Sequence, residues 1–307
     1  MKIAAVVVTY NRREQILKTI NTLLAEAIDL VFVVDNGSTD GTRQDLSDVK
    51  DDRLILHFSD TNLGGAGGFE LALRTVVRDH DPDWIVIMDD DGRPMSGAIE
   101  RFRSSDTQAW DAVAGAVFYP SGQICEMNRP VLNPFKHTSI FFKTMFGGGR
   151  AAFHIPDDAF ESSAPVPIDG SSFVGLFLSR RGVELAGYPD GRLFVYGEDG
   201  LYTLSLSQAG GRIAFFPDIH FEHDCSTFAS APGRFTPPWK AYYYHRNLLL
   251  LYRRAAGLFF WPALLIVLPK WFWKTKAQGE TKGAYLRYLS RAIRDGLVGR
   301  FDRAHPD

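Results

Sequence analysis

Unbroken apolar runs and helix-spaced apolar residues alternate through the first hundred residues. Residues 3–8 form one such run and read as a strand, 13–27 carry Ile16, Ile20, Leu23 and Leu24 at helical spacing, and 30–34 are a second strand. A short helix over 39–49, a strand over 54–58, a helix over 67–78 with Phe69, Leu71, Leu73 and Val76, and a strand over 84–88 follow. This βαβαβαβ succession implies an α/β fold with a mostly parallel sheet covered by helices, because strands buried on both faces read as continuous apolar runs. Such sheets bind ligands at the carboxyl ends of their strands. Thr9-Tyr10-Asn11, Asp35-Asn36-Gly37-Ser38 and Asp89-Asp90-Asp91 all fall at such ends, so three polar clusters converge on one edge.

The pattern loosens from 104 to 167, where six prolines and Gly147-Gly148-Gly149 predict strands, long loops and a mobile segment near the triple glycine. Order resumes over 172–178, in a helix running from Tyr196-Gly197-Glu198-Asp199 through Gln208, and in a strand over 212–216. Residues 241–273 are rich in aromatics and leucine. Their apolar stretch 255–269 is 15 residues long and contains Pro262, short of the ~20 needed to cross a bilayer. Trp261, Trp271, Trp273, Lys270, Lys274 and Lys276 around it predict a segment lying in a membrane interface. The alternative is a helix packed against the body or against a second copy in a homo-oligomer.

Composition narrows the class. With 45% hydrophobic and 13% aromatic residues, the 307-residue chain is not a disordered one. Two cysteines, Cys125 and Cys225, suggest no disulfide framework and suit a reducing cytoplasm. The apolar run after Met1-Lys2 is too short for a leader and lacks a small-residue cleavage site, so it reads as the first strand. The net charge of −2 hides a division: residues 239–307 carry 13 Lys and Arg against 4 Asp and Glu, leaving 21 against 32 in the rest. An acidic body argues against nucleic acid as a partner. A basic aromatic tail suits an anionic membrane surface.

The chemistry centres on the three aspartates. Stacking three carboxylates at the end of a buried strand costs several kcal/mol unless a cation sits among them or the turn is solvated. Side chains alternate along an extended chain, so Asp89 and Asp91 point one way and Asp90 the other. Two carboxylates on one side make a minimal hard-oxygen site for Mg²⁺ or Mn²⁺.

Read together, Val7-Val8-Thr9-Tyr10-Asn11-Arg12, the stretch from Val33 to Thr42, Asn62-Leu63-Gly64-Gly65-Ala66-Gly67-Gly68-Phe69 and Asp89-Asp90-Asp91 resemble family 2 glycosyltransferases. The likeness continues through Asp169-Gly170-Ser171-Ser172, Gly197-Glu198-Asp199, His223 and Tyr243-Tyr244-His245-Arg246-Asn247, about residues 1–250. It implies an inverting enzyme of GT-A fold. Residues 1–238 would form that domain, a nucleotide-sugar half at 1–103 and an acceptor half at 104–238, with 239–307 a helical appendage.

The roles it implies are specific. Thr9, Tyr10, Asn11, Asp35, Asn62, Gly64, Gly65 and Asp90 would hold the nucleotide-sugar, with Arg12 on the diphosphate. Asp35 has a second reading as a turn former before Asn36-Gly37. Asp89, Asp91 and His223 would hold a divalent cation; His220, expected on the same face of the same strand, competes, and the family pattern of histidine followed closely by Ser or Thr favours His223. Asp199, paired with Glu198, would accept the proton of the attacking hydroxyl, its alternative role being a helix cap. Leu201, where the family is often acidic, and Ser205, where arginine is frequent, depart from the pattern around that helix. The glycine-rich segment looks most like bacterial galactofuranosyltransferases, which use UDP-galactofuranose, with dTDP-rhamnose rhamnosyltransferases close. The acceptor expected is a lipid-linked saccharide of a cell-surface polymer. A sugar-nucleotide pyrophosphorylase would want a glycine-rich basic loop after the first strand, which Thr9-Tyr10-Asn11-Arg12 is not. A non-catalytic sugar-binding protein on this fold would not need Asp89, Asp91 and Asp199 intact.

Overall fold

A computed structural model describes residues 1–225 and 233–301. Ser226 and Thr227, part of the pattern after His223, and the last six residues of the tail lie outside the described residues.

The N-terminal half follows the alternation. Strands β1 (Ile3–Thr9), β2 (Leu30–Asp35), β3 (Leu54–Phe58) and β4 (Trp84–Asp89) are separated by helices α1 (Arg13–Ala25), α2 (Thr42–Asp48) and α3 (Gly64–His80). The strands are parallel, in spatial order β3-β2-β1-β4. Every residue of β1 and β2 is buried. Ala4, Val6 and Val8 pack beneath Phe69, Ala72, Leu73 and Val76 of α3, while Ile3, Ala5 and Val7 pack against Ile16, Ile20 and Leu23 of α1 on the other face. That two-sided burial is why the strands read as apolar runs rather than alternating ones.

Helix α3 starts at Gly64, earlier than the hydrophobic spacing indicates. Gly64 has φ +72°, and a Cβ there would lie 2.1 Å from the Phe194 carbonyl oxygen, so only glycine fits this start.

The second half extends the sheet with mixed polarity. It contains β5 (Gly92–Pro94), α4 (Ala98–Ser104), β6 (Ala112–Phe118), α5 (Thr138–Lys143), β7 (Val166–Ile168), β8 (Leu176–Ser179), α6 (Arg180–Ala186), α7 (Glu198–Gln208) and β9 (Ile213–His223). The order is β3-β2-β1-β4-β8-β6-β9-β5, with β7 also on β9. Strand β8 runs antiparallel to β4 and β6, and β5 and β7 run antiparallel to β9. Strand β9 is longer than the expected 212–216 because its second part pairs with both β6 and β5. The triple glycine lies in short helical turns at Thr144–Gly148 and Gly149–Ala152.

The C-terminal region is helical: α8 (Lys240–Ala256), α9 (Phe260–Trp273) and α10 (Lys282–Val298). Ala241 and Leu249 of α8, Phe260, Leu264 and Trp271 of α9, and Tyr285 and Leu289 of α10 share one core. Those three are the only buried residues of α9. Trp261, Leu265 and Trp273 are exposed at 62, 79 and 69%, as is Leu258 just before the helix at 95%, so the described body does not cover the apolar face of this helix.

Candidate active site

Parallel register aligns the strand ends. Thr9 sits opposite Asp35, and Val8 opposite Asp89. The three acidic and polar clusters therefore meet on one edge, and each aspartate there has a different neighbour.

Asp90 turns inward. It accepts from Thr9 Oγ1 at 2.7 Å, and its backbone carbonyl accepts from Thr19 Oγ1 at 2.6 Å. Asp91 accepts from Arg12 Nη2 at 2.7 Å and faces His223 Nε2 at 3.1 Å. Arg12 Nε also stands 3.3 Å from Asp90. Arg12, expected on a diphosphate, thus supplies a cation among the carboxylates. Ligand atoms of Asp89, Asp91 and His223 lie within 4.8 Å of one another.

Antiparallel pairing of β5 with β9 brings Gly92 opposite His223 and folds the aspartate turn back onto that histidine. His223 is buried, whereas His220 is exposed, with its ring edge-on to Phe118 at 5.3 Å. The two histidines stand three residues apart and face different ways. His223 Nδ1 donates to Asn128 Oδ1 at 2.6 Å. That bond fixes the ring and directs Nε2 at the carboxylates, an arrangement typical of a ligating histidine.

Charge in this cluster is strained. Burial and the neighbouring Asp91 push Asp89 up to about 6, and burial takes Asp90 up to about 7 despite Arg12. Burial also opposes ionisation of Asp91, but the hydrogen bond and charge of His223 and the charge of Arg12 prevail and hold it below the ordinary carboxylate value. Burial would depress His223, yet the hydrogen bond to Asp91 outweighs it and raises the ring to about 10. A divalent cation held there would relieve this crowding, stabilising the carboxylates and standing in for the proton on Nε2. Two carboxylates and one imidazole are a donor set that suits such an ion.

Around this cluster, side chains shape the edge. Asp35 is fully buried and accepts from Arg43 Nε at 2.7 Å and from the Ser38 amide at 3.2 Å. Its turn-forming role is thus present, and Arg43, which the sequence reading missed, covers it. Arg43 also donates to the Ser59 carbonyl and lies 5.6 Å over the Phe58 ring. Asn11 has φ +52°, its Oδ1 accepts from the Thr39 amide at 2.7 Å, and its own amide donates to Ser38 Oγ at 2.8 Å. The Tyr10 ring is open to solvent.

The glycine-rich segment does more packing than expected. Asn62 Oδ1 accepts from the Gly64 amide at 2.8 Å, and the Ala66 amide donates to the Phe194 carbonyl at 3.1 Å, so two of its amides are taken up within the fold. A Cβ at Gly68 would meet Val8 at 2.5 Å, and one at Gly65 would stand 3.3 Å from Glu198 Oε1. These glycines bring α3 against β1 and against the start of α7.

Glu198 and Asp199 open α7 after Gly197, at φ +80°. Asp199 Oδ1 accepts from the Gly200 amide at 2.6 Å. Glu198 Oε2 is buried with no hydrogen-bond partner among the described residues. Burial, then the charge of Asp199, pushes Glu198 up to about 8, and burial raises Asp199 as well. The charge of Asp199 helps to raise Asp89, and that of Asp89 helps to raise Glu198, so the start of α7 lies near the aspartate cluster.

The approach to α7 is held from α8, by residues whose motif carried no assigned role in the sequence. Asn247 Nδ2 lies 3.0, 2.9 and 2.7 Å from the carbonyls of Leu193, Val195 and Tyr196, and buried Arg246 donates to those of Arg192 and Leu193. This loop contains Phe194 and Tyr196, both at positive φ. Leu201 and Ser205 line a cavity of 720 Å³ with Glu198, Tyr202, Arg253 and Arg254; Asp89, Asp90 and Asp91 are not among its lining residues. Arg254 donates to Ser205 Oγ, so an arginine from α8 stands beside the position where the family often has one.

Residues 4–158, half of the chain, match the family described as Glycosyl transferase family 2. The chain belongs to that family and is a glycosyltransferase. Among individual relatives, it is 27% identical over 230 residues to galactofuranosyltransferase GlfT1 of Mycolicibacterium smegmatis, covering 73% of this chain and 72% of that protein. The Mycobacterium tuberculosis GlfT1 is 25% identical over 228 residues, covering 73% and 70%. The fold is similar to Staphylococcus aureus TarS residues 1–349, solved with UDP-GlcNAc, at TM-score 0.60 and 14% identity over 97% of this chain and 82% of that one. It is also similar to mannosyltransferase PcManGT of Pyrobaculum calidifontis, solved with GDP-Man and Mn²⁺, at TM-score 0.55 and 18% identity over 96% and 87%.

Proposed function

We propose that this enzyme transfers galactofuranose from UDP-galactofuranose to a saccharide acceptor with inversion at the anomeric carbon. The observation that carries the reading is the meeting of Asp89, Asp91 and Nε2 of His223 beside Thr9 at one strand edge, with Asp199 near enough for its charge to raise Asp89. Likeness to galactofuranosyltransferases supports the donor.

Asp89, Asp91 and His223 would hold a divalent cation, Mn²⁺ or Mg²⁺, which when bound supplies Lewis-acid stabilisation of a departing diphosphate. Arg12 reorients from Asp91 toward the same phosphates. Thr9 keeps Asp90 turned inward, while the exposed Tyr10 ring and the backbone at Asn11 receive the nucleotide, with Asp35, Asn62, Gly64 and Gly65 shaping its bed. Asp199 takes the acceptor hydroxyl's proton, and burial of the Glu198-Asp199 pair makes it a stronger base than an exposed aspartate.

Residues 1–103 serve the donor and 104–238 the acceptor. The acceptor is lipid-linked and met at the cytoplasmic face of a membrane. Support comes from the open apolar face of α9, its lysines and the basic balance of the tail. The tryptophans and lysines that flank its apolar stretch favour a helix lying in the interface.

Thermal-shift titrations with UDP, dTDP and GDP, each with Mn²⁺, test the donor. UDP should raise Tm most. Stabilisation by dTDP instead would replace this reading with a rhamnosyltransferase.

A further inference from the structure

Behind the aspartate cluster stands a second group of donors, which shares His223 with it and adds two cysteines that transfer does not use. The chain's two cysteines, far apart in sequence, meet there. Cys125 is buried, and Cys225 is half-buried two residues past the end of β9. Their sulfurs and a ring nitrogen of His223 lie within 4.8 Å of one another. Cys125 Sγ is 4.0 Å from His223 Nδ1, and both donate to one oxygen, Asn128 Oδ1, at 3.0 and 2.6 Å.

We propose that Cys125, Cys225 and Nδ1 of His223 form a site for a thiophilic divalent cation of the Zn²⁺ class. Two sulfurs and an imidazole suit such an ion, as carboxylates suit Mn²⁺ or Mg²⁺. With Zn–S about 2.3 Å and Zn–N about 2.0–2.1 Å, tetrahedral donors stand roughly 3.5–3.8 Å apart. The 4.0 Å separation therefore needs only a small contraction. Binding releases the two thiol protons and the Nδ1 proton to solvent and breaks the bond to Asn128, leaving the neutral ring's single proton on Nε2.

That placement has a consequence, which rests on the metal reading given under Proposed function. An Nε2 that carries the proton does not ligate a cation between Asp89 and Asp91. The two sites exclude each other through His223, and a thiophilic cation is an inhibitor of transfer.

Co²⁺ serves as the probe, added to reduced full-length protein in which denaturing thiol titration has counted both cysteines. One equivalent should develop thiolate-to-cobalt charge-transfer absorption, which Zn²⁺ abolishes. Cys125→Ser and the less buried Cys225→Ser, each checked for folding by circular dichroism, should lack it. No such band in reduced wild-type protein, or an undiminished band in both variants, overturns the site. A wild-type protein with no titratable thiol when isolated without reductant holds a Cys125–Cys225 disulfide and overturns it too. One equivalent of Zn²⁺ should weaken Mn²⁺ binding, read by electron paramagnetic resonance, about tenfold or more, and should not do so in Cys225→Ser. Equal Mn²⁺ affinity with and without Zn²⁺ overturns the mutual exclusion. A protein that gives the cobalt band yet binds no Mn²⁺ in the absence of Zn²⁺ keeps the thiol site and sinks the carboxylate one.

Discussion

The Asn247 side-chain amide, on a C-terminal helix, holds the Tyr196 carbonyl at 2.7 Å, three residues before Asp199. It shares its two hydrogens among three carbonyls of a loop whose Phe194 and Tyr196 sit at positive φ, a conformation that costs free energy in non-glycine residues. The clamp holds that loop in place and so aims the start of α7. Asn247→Ala should destabilise the protein by about 1–3 kcal/mol, because buried carbonyls lose their partner. It should also lower kcat more than it raises KM for the donor. Urea unfolding and steady-state kinetics on one preparation check both; an equal loss in a variant destabilised elsewhere would remove the positioning role.

Asp199→Asn should cut turnover by ~10²–10⁴ with donor affinity nearly unchanged, since it removes a proton acceptor and little ground-state binding. Calorimetry with UDP beside turnover measurements decides the matter. Unchanged turnover with lost UDP binding would move Asp199 to the nucleotide side.

His223 sets a pH window. Its pKa is raised from an ordinary 6.5 to about 10, so its protonated pair with Asp91 stabilises the metal-free protein fully below pH 6.5. That contribution is lost as pH rises from 6.5 through about 10. Metal-free Tm should fall across this range in wild-type protein and less in His223→Gln. Mn²⁺ affinity should rise over the same range, by up to about tenfold per pH unit, because the ion displaces one proton. Titrations at pH 6.5, 7.5 and 8.5 measure it; a flat profile would mean that no ring proton is displaced.

Asp89→Asn and Asp91→Asn should each abolish transfer and Mn²⁺-dependent UDP binding while leaving the fold intact, as each removes a ligand and a charge that hold the ion. Full activity of either variant in EDTA would exclude the metal reading.

The tail should bind anionic vesicles strongly at low salt and weakly at high salt, each basic residue near the surface being worth about 1 kcal/mol. Exposed Trp261, Leu265 and Trp273 should leave a salt-resistant remainder. Replacing Lys270, Lys274 and Lys276 with Glu should release the protein from vesicles and spare transfer to a short soluble acceptor. A change in oligomeric mass by light scattering, without a change in vesicle binding, would assign the face to a subunit contact instead.

From residues alone came the four parallel strands, the helices between them and the edge where Thr9, Asp35 and Asp89–Asp91 meet. Those properties are local: a strand buried on both faces must be a continuous apolar run, and its carboxyl end must turn polar where it meets ligand or water. The family motifs added Glu198-Asp199 and His223 to that edge. Tertiary structure alone decided what each of these side chains touches. His223 faces Asp91 and His220 does not, because β5 pairs antiparallel with β9 in one register. Asp35 lies under Arg43, Asn128 holds the ring of His223 from 95 residues away, and Asn247 holds Tyr196 from 51. Hydrogen bonds between residues so distant along the chain leave no periodicity in it. They exist only once packing has excluded water and left each buried polar group to find its partner within the fold.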